Sequence, residues 1–442
     1  MGSISAYPAD TLPALKKPWI ETPLVESAAL SRLAGCRMFL KLENTQPSGS
    51  FKSRAMGNQI LSHLANPAYR GRPIHFYASS GGNAGLAAVC AARSLGYPCT
   101  VVVPVSTKPL MVEKLRSAGA VDVIRHGETF AEAGKYMKEV VMMNKYRHAS
   151  TDEEGEEEEA EAVVKIALHP FDKESIWEGN STIIDELEKQ LPPPLGEEER
   201  AAYSDRAMAA DAIICSVGGG GLLNGLIMGL ERITHAQTKS TPKAPTSTSY
   251  DSAINILAIE TVGTDSLALA LAQKSLVSLP KITSQATSLG AVCVSERTFS
   301  YALSPPAGIR VHSTVLSDAD AARGVLRLAD SERTLVELAC GVCVEAAIGD
   351  SAAAPMSAGR RAPPDEGYGD DRSSSTENEI ESDLDAQDPL PAADAVALTS
   401  KLRQLVPGLG PQSRVVIIVC GGSNITIEMA AEWRQMLEQG WQ

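Results

Sequence analysis

The chain has 442 residues, enough for two domains with a sizeable buried core, and 44% of them are apolar, as is usual for soluble globular proteins. Much of its formal net charge of −14 lies in two acidic regions, 152–161 and 350–394, and no basic run suggests a nucleic-acid partner. No run of about 18 apolar residues occurs, and eight cysteines without a secretory signal predict reduced thiols, so we expect a cytoplasmic protein with no membrane partner.

Short runs rich in Val and Ile alternate with amphipathic segments of helix length. The predicted strands, in chain order, are Arg37–Leu42, His75–Ala78, Thr100–Val103, Val121–Ile124, Ala212–Ser216, Ile256–Ile259 and Arg414–Val419. The predicted helices include Leu86–Leu95, Pro109–Ala118 and Ala131–Asn144. Strands that alternate with helices in this way predict an α/β protein with mainly parallel sheets flanked by helices.

Three polar segments interrupt the alternation. They are the acidic run 150–160, the Ser-, Thr- and Pro-rich run 236–252, and the long segment 349–394, which contains no Val, Phe or Trp. Such compositions bury too little apolar area to offset the entropy lost on ordering. We therefore predict surface loops or disordered insertions at all three places.

The first cluster with chemical potential is Pro47–Lys52, where a lysine follows a tight Gly/Ser turn. If this lysine points inward, burial lowers its pKa and leaves a neutral amine that can form a Schiff base with an aldehyde. Taken alone, a surface lysine in a turn is the commoner outcome.

The second cluster, Ser79–Gly85, joins the strand ending at Ala78 to a helix of small residues. Backbone N–H groups at a helix start bind anions, and Ser80 and Asn83 add side-chain donors, so the loop suits a carboxylate. A simple helix cap packed with small residues is the alternative.

The third cluster, Ser216–Leu222, places four consecutive glycines between a strand and an apolar helix. Glycine lets the backbone approach a ligand and expose its N–H groups, as in a phosphate cradle. The cluster lacks the Lys-Ser/Thr ending of a nucleotide-binding loop and the usual context of a dinucleotide motif. A merely flexible loop is the alternative.

The fourth cluster, Val419–Asn424, places Cys420 at the carboxyl end of an apolar strand, where α/β proteins bind ligands. A buried structural cysteine is the alternative. Cys340 and Cys343 form a CxxC pair, but no second pair stands at zinc spacing. These two are therefore predicted to be small core residues on a helix rather than a redox or metal site.

Together and in this order, the clusters resemble the motifs of the L-serine/L-threonine dehydratase (ammonia-lyase) family. These are pyridoxal-phosphate enzymes of the tryptophan-synthase β-like fold (fold type II), and the short eukaryotic L-serine dehydratases are the most similar. The segments KLENTQPSGSFKSRAMGN, SSGGNAG, SVGGGGLLNG and VVIIVCGGSNI resemble the family's cofactor-lysine, substrate, phosphate and pyridine-nitrogen motifs. Other matches, also in order, are Thr22–Leu24, Pro170–Asp172, Trp177–Gly179 and Glu337–Gly341.

The resemblance implies a role for each matching residue. Lys52 would carry pyridoxal 5′-phosphate as a Schiff base and later take the α proton of the substrate. The remaining cofactor contacts would be Phe51 on the ring face, Asn83 at the 3′ oxygen, Cys420 at the pyridine nitrogen, and Gly218, Gly219, Gly220, Gly221 and Leu222 at the phosphate. The substrate carboxylate would be held by Ser80, Gly81 and Asn83. A monovalent cation such as K⁺ would be bound by Glu260, Ser266 and carbonyls near Leu289.

The resemblance also implies an architecture and a reaction. A small domain, 51–147, and an acidic loop, 148–160, would be flanked by the two parts of a large cofactor-binding domain, 1–50 and 160–442, with insertions at 236–252 and 349–394. The reaction would be α,β-elimination of water from L-serine, with L-threonine as a second candidate, giving pyruvate or 2-oxobutyrate and ammonia. A homodimer acting in amino-acid metabolism and gluconeogenesis is the corresponding expectation.

Three other functions stay open at this point. They are β-replacement by a related pyridoxal-phosphate enzyme, serine racemisation, and ligand binding without catalysis. A racemase needs a second acid on the opposite face of the substrate, which the sequence does not identify, and a binding protein would not require Lys52.

Two residues depart from the family pattern. Gly81 stands where members often carry Ala or Ser, which predicts extra space beside the substrate and leaves the preference for serine or threonine open. Leu338 replaces a common proline.

Overall fold

The structure is a computed structural model that describes residues 16–143, 163–204, 206–240, 253–349 and 400–441. The predicted acidic loop 148–160, most of the predicted insertion 236–252 and nearly all of 349–394 lie outside the described residues. Within the described ranges, ten strands form two sheets with helices packed around them.

The larger sheet consists of β1 (Leu24–Glu26), β2 (Arg37–Lys41), β7 (Ala212–Ser216), β8 (Ile254–Thr261), β9 (Ile309–Leu316) and β10 (Arg414–Ile418). The spatial order is β1-β2-β10-β7-β8-β9. β1 runs antiparallel to β2, and all other neighbours are parallel. Every residue of β7, β8 and β10 is buried, because helices cover both faces of these central parallel strands.

The smaller sheet consists of β3 (Ile74–Ala78), β4 (Cys99–Val103), β5 (Asp122–Arg125) and β6 (Val164–Leu168), in the order β5-β4-β3-β6 and parallel throughout. The predicted large domain included everything from residue 160 onward. For β6 this placement is wrong, because the strand pairs along its whole length with β3 in the smaller sheet. The other predicted domain limits stay a prediction.

Helices surround both sheets. They are α1 (Ala28–Ala34), α2 (Lys52–Leu64), α3 (Asn83–Ser94), α4 (Pro109–Ala118), α5 (Phe130–Tyr136), α6 (Glu174–Gln190), α7 (Gly196–Tyr203), α8 (Gly221–Ser240), α9 (Ser266–Gln273), α10 (Glu296–Leu303), α11 (Asp318–Glu332), α12 (Leu338–Ile348), α13 (Lys401–Leu405) and α14 (Ile427–Glu438). Short 3₁₀ turns lie at Glu43–Thr45, Pro67–Tyr69 and Thr287–Leu289, and a π-helical turn at Met137–Val141.

The seven predicted strands are all present, and the α/β class with mainly parallel sheets is confirmed. The predicted helix Pro109–Ala118 has the observed bounds of α4, and the helix predicted at Leu86–Leu95 begins earlier, at Asn83. The single helix predicted at Ala131–Asn144 is instead α5 followed by the π-helical turn.

Helix α12 is buried along its whole length, which explains its uniformly apolar sequence. Cys340 and Cys343 on this helix are fully buried, and all eight cysteines are free. The described residues contain no group of three or more His, Cys, Asp or Glu side chains suited to a metal ion. The prediction that the CxxC pair belongs to the core is confirmed.

Candidate active site

The loops that carry the predicted cofactor and substrate residues meet at the carboxyl ends of the strands of the two sheets. The lysine loop after β2, the glycine loop after β7 and the loop after β10 follow adjacent parallel strands. The Phe51 N–H donates to the Cys420 carbonyl at 3.2 Å, and the Ser423 N–H donates to Asn83 Oδ1 at 2.9 Å. These bonds join the lysine loop (47–52), the loop after β3 (79–85, called the substrate loop after its predicted role) and the loop after β10 (419–424). All three lie at the carboxyl ends of strands, where α/β folds place ligands.

Lys52 is the first residue of α2. Its Nζ donates to the Pro170 carbonyl at 3.0 Å and lies 4.9 Å from the centre of the Phe51 ring. Burial of the amine lowers the pKa of Lys52 to about 8, although the nearby Cys420 sulfur acts in the opposite direction. A sizeable fraction of the amine is therefore neutral near physiological pH, as nucleophilic attack requires.

A buried ion cluster holds the helix that begins with Lys52. The Arg54 guanidinium donates to both carboxylate oxygens of Glu43, at 2.7 and 2.8 Å, and to Glu186 at 2.5 and 2.7 Å. Glu186 also accepts from Lys41 Nζ at 2.5 Å. Loss of one partner from such a cluster leaves an uncompensated buried charge and typically costs about 3–5 kcal/mol. The cluster ties α2 to β2 and α6, so rigid elements set the position of Lys52.

The glycines of the loop after β7 are required by close packing. A Cβ on Gly219 would overlap the Phe171 ring, one on Gly220 would overlap Thr298, and one on Gly221 would lie 2.7 Å from the Phe171 carbonyl oxygen. Gly220 also has a φ of 91°, in the left-handed region that L-residues with a Cβ rarely adopt. Residues with side chains could not form this loop without displacing its neighbours.

The same loop presents free donors. In the described part of the chain, the backbone N–H groups of residues 218–222 have no hydrogen-bond acceptor. Below the loop, Asn224, Ser295 and Thr298 are joined by hydrogen bonds of 2.8–3.1 Å, and the Ser295 N–H donates to the Gly219 carbonyl at 3.1 Å. A fixed row of unpartnered N–H groups at the start of α8 fits the phosphate of pyridoxal phosphate.

The substrate loop differs from its prediction at one residue. A Cβ on Gly81 would lie 2.7 Å from Thr107 Cγ2 and 2.8 Å from Thr107 Oγ1. The predicted extra space at Gly81 is therefore wrong, because the side chain of Thr107, from the turn between β4 and α4, already fills it. Ser80 and Asn83 lie in the loop as expected, with Ser80 Oγ accepting from the Gly82 N–H at 3.3 Å.

Cys420 lies two residues beyond the end of β10 and is 5% exposed. Its Sγ lies 3.5 Å from Ser216 Oγ and 3.4 Å from the Ile418 carbonyl oxygen. A hydrogen bond from the Cys340 thiol lowers the pKa of Cys420, against the raising effect of burial. The thiol is therefore held by polar partners at the edge of the site, and its contact with a ring nitrogen stays a prediction.

Two of the residues predicted to bind a cation, Glu260 and Ser266, lie at the start of α9. Glu260 accepts from the N–H groups of Leu267 and Ala268, both at 2.8 Å, so its carboxyl group caps the helix. Burial raises the pKa of Glu260 to about 8. Ser266 Oγ is buried without a hydrogen-bond partner among the described residues, and the Leu289 backbone packs against Gly218. The arrangement leaves cation binding a prediction.

Two residues of the site were not assigned a role from the sequence. Glu337 was matched only as the first residue of ELACG, yet it is 5% exposed and accepts from Asn83 Nδ2 at 3.0 Å and from the Asn424 N–H at 2.6 Å. Thr107 carries no sequence signal, because its contact with Gly81 exists only in the folded chain. The motif could have drawn attention to Glu337 but not to what it contacts.

The family of the chain follows from comparison with known proteins. The family description "Pyridoxal-phosphate dependent enzyme" matches residues 15–360, most of the chain. That match defines the class of the protein, in agreement with a buried lysine amine and a glycine-rich loop in one site.

More similar proteins narrow the class. Over 322 residues the chain is 39% identical to an L-serine dehydratase of Saccharomyces cerevisiae, covering 73% of this chain and 83% of the relative. An L-serine dehydratase/L-threonine deaminase of Mus musculus is 35% identical over 74% of this chain and 82% of its own. The crystal structure of an L-serine ammonia-lyase from Rhizomucor miehei superimposes with a TM-score of 0.66 at 26% identity, covering 95% of this chain and 99% of that one. The chain therefore belongs to the serine/threonine dehydratase family, and the expected tryptophan-synthase β-like fold is confirmed.

Within the described ranges, no helix combines the length and the apolar composition needed to cross a membrane.

Proposed function

We propose that this protein is a pyridoxal-phosphate-dependent L-serine dehydratase that also accepts L-threonine. The observation that carries the proposal is the pairing of a lysine whose pKa is lowered to about 8 with a glycine loop whose N–H groups find no acceptor among the described residues. Family membership with L-serine dehydratases supports the choice of substrate.

In this proposal each part of the cofactor has its own group of holding residues. Lys52 would bind the aldehyde carbon, residues 218–222 the phosphate, Asn83 the 3′ oxygen and Cys420 the pyridine nitrogen, with Phe51 against the ring. When bound, pyridoxal phosphate would acidify the α C–H bond of the amino acid, and the protein would orient the reacting groups.

The protein's own groups then supply positioning and proton transfer. The Ser80–Asn83 loop would hold the substrate carboxylate on N–H donors at the start of α3. The neutral Lys52 amine, oriented by the Pro170 carbonyl 3.0 Å away, would take the α proton. The β-hydroxyl leaves with one proton as water, and hydrolysis of the released enamine gives pyruvate and ammonia.

The test compares the release of pyruvate from L-serine, and of 2-oxobutyrate from L-threonine, by the wild type and by Lys52→Ala. Lys135→Ala serves as the control, since Lys135 is 71% exposed on α5 and forms a surface ion pair with Glu139. We expect the Lys52 variant to lose release of both keto acids and the Lys135 variant to retain it. Equal release by both variants would refute the assignment of Lys52.

The same samples separate the other functions left open by the sequence. Formation of D-serine without keto acid would identify a racemase, and formation of a substituted alanine only in the presence of an added nucleophile would identify a β-replacement enzyme. Cofactor binding without any turnover would identify a non-catalytic binding protein.

We further propose a cytoplasmic homodimer with a monovalent cation at Glu260 and Ser266. Eight free cysteines support a reducing compartment. Light scattering of the purified protein tests the dimer, and activity in K⁺ against that in a large organic cation tests the ion site. A monomeric mass would count against the dimer. Equal activity in both salts would count against the cation site. A contribution to gluconeogenesis stays an expectation from the family.

A further inference from the structure

Glu337 is a buried carboxylate at the meeting point of three separate chain segments. It is the residue immediately before α12, and α12 lies in the core behind the site. Oε1 accepts from Asn83 Nδ2 at 3.0 Å and from the Asn424 N–H at 2.6 Å, and Oε2 accepts from Ser288 Oγ. The donors come from the start of α3, from the loop after β10 and from the turn at 287–289.

The loop after β10 is shaped around this carboxylate. Gly422 has a φ of 118°, and a Cβ at that position would overlap the Glu337 side chain. Glycine is therefore needed at position 422 for two reasons: it adopts the positive φ, and it leaves room for the Glu337 side chain. Packing and hydrogen bonding independently place the carboxylate at the same point.

The contacts of Asn83 determine which way its amide faces. Oδ1 accepts from the Ser423 N–H at 2.9 Å, while Nδ2 donates to Glu337. With these partners a flipped amide would place Nδ2 against an N–H donor and Oδ1 against a carboxylate, so only one orientation satisfies both. The second proton of Nδ2 has only a long contact, 3.3 Å, to Ser288 Oγ. It is the donor that remains for a ligand.

We propose that Glu337 is a positioning residue that fixes the orientation of the Asn83 amide and joins α3 of the smaller sheet to the loop after β10 of the larger one. The ligand of Asn83, the cofactor 3′ oxygen, rests on the proposed function. Glu337 acts through Asn83 and touches no reacting atom in this assignment.

Two substitutions of Glu337 separate the effect of its hydrogen-bond geometry from the effect of its negative charge. In Glu337→Gln the amide oxygen can accept from Asn83 and Asn424, and the amide nitrogen can donate to Ser288, whose hydroxyl is able to accept. Glu337→Asp keeps the charge but is one methylene shorter, so its oxygens cannot reach all three donors. A positioning role predicts that Gln preserves function better than Asp, whereas a role for the negative charge predicts the reverse.

Glu345 offers a matched control on the same helix. It is 1% exposed and pairs with Arg327 at 2.8 Å, away from the site. Glu345→Asp therefore shortens a buried carboxylate of α12 without touching Asn83, and reports the general cost of disturbing this helix.

The experiment measures the dissociation constant of pyridoxal phosphate, its absorbance spectrum in the protein, kcat and KM for L-serine, and the melting temperature of the four proteins. We expect Glu337→Asp to weaken cofactor binding by about tenfold or more and to alter the spectrum, because a hydrogen bond to a charged group is lost. Glu337→Gln should stay within about threefold of wild type. Glu345→Asp should lower only the melting temperature.

Two results would overturn the proposal. One is a Gln variant as impaired as the Asp variant, and the other is an Asp variant whose cofactor affinity matches that of Glu345→Asp. Cofactor affinity and spectrum do not depend on which reaction the enzyme catalyses. If only the dehydratase assignment is wrong, no keto acid is formed. The variants still rank in the expected order of cofactor affinity and spectral change.

Discussion

The two glycine loops of the site, 79–85 and 216–222, both join a strand to a helix but are packed differently. The loop after β7 is bounded by the Phe171 ring, by backbone and by Thr298, which its own hydrogen bonds hold in place. In the loop after β3, the atoms nearest to a Cβ on Gly81 would belong to the Thr107 side chain, and the atom nearest to a Cβ on Gly82 would be Ser80 Oγ at 3.8 Å, whereas a Cβ on Gly85 would overlap the Ser80 carbonyl oxygen. The first loop is specified by fixed neighbours, as suits a constant phosphate group. At Gly81 and Gly82 the second loop is bounded by exchangeable side chains, which is where selectivity can change.

The largest effect should come from Gly220→Ala. The new Cβ would overlap Thr298 in a backbone conformation that alanine disfavours, so we expect a loss of about 2–5 kcal/mol in the free energy of unfolding and loss of cofactor binding. Denaturant unfolding and titration with pyridoxal phosphate measure both effects.

Two further variants serve as a control and as a partial rescue for Gly220→Ala. Gly410→Ala is the control, because Gly410 has no atom within 4 Å of an added Cβ and no positive φ, and it should be close to neutral. Thr298→Ala in the Gly220→Ala background removes the overlapping Oγ1 and Cγ2 atoms but leaves the residue 298 Cβ 2.6 Å from the new methyl group and the backbone strain in place, so it should restore only part of the stability. Full retention of cofactor affinity in Gly220→Ala would contradict the view that fixed neighbours specify this loop.

A smaller effect is expected for Gly81→Ala in the substrate loop. The added methyl group would press on Thr107, and overpacking of this kind costs about 1–3 kcal/mol. Because Thr107 is only partly buried and can turn away, the cost should lie at the lower end of that range. The free energy of unfolding and the ratio of kcat/KM for L-serine to that for L-threonine are the measurements.

Thr107→Ala tests whether the two positions are coupled. The Gly81→Ala/Thr107→Ala double variant adds a methyl group at position 81 and removes the methyl and hydroxyl groups that it would meet at position 107, so most of the stability should return. Additive losses in the double-mutant cycle would show that Thr107 does not limit the space at Gly81.

The smallest expected effect is a pH dependence at Lys52. Burial disfavours the ammonium form, so the amine should deprotonate as the pH rises through about 8 rather than through its ordinary value of 10.5. The rate of covalent aldehyde uptake by the cofactor-free protein, trapped with borohydride, should therefore rise with pH and level off above about 8. A rate that still increases above pH 10 would show that the amine is not buried in solution.

Strands in the interior of the sheets were predicted from the sequence more completely than strands at the sheet edges. All six interior strands were predicted, because burial on both faces requires continuous apolar runs such as those of β7 and β10. The three missed strands, β1, β6 and β9, are all at sheet edges. β9 (IRVHSTVL) is half-buried over most of its length, so polar residues are tolerated and the apolar signal is lost.

The sequence by itself determined the class of fold, the four loops of the site and the family, because strand, glycine and lysine patterns are local and each loop follows its own strand. Only the tertiary structure decided that Thr107 fills the space at Gly81, that β6 joins the smaller sheet and that Glu337 faces Asn83. These three contacts join residues 26, 90 and 254 positions apart. No local pattern encodes them, because each depends on how separate segments pack once their apolar faces are buried together.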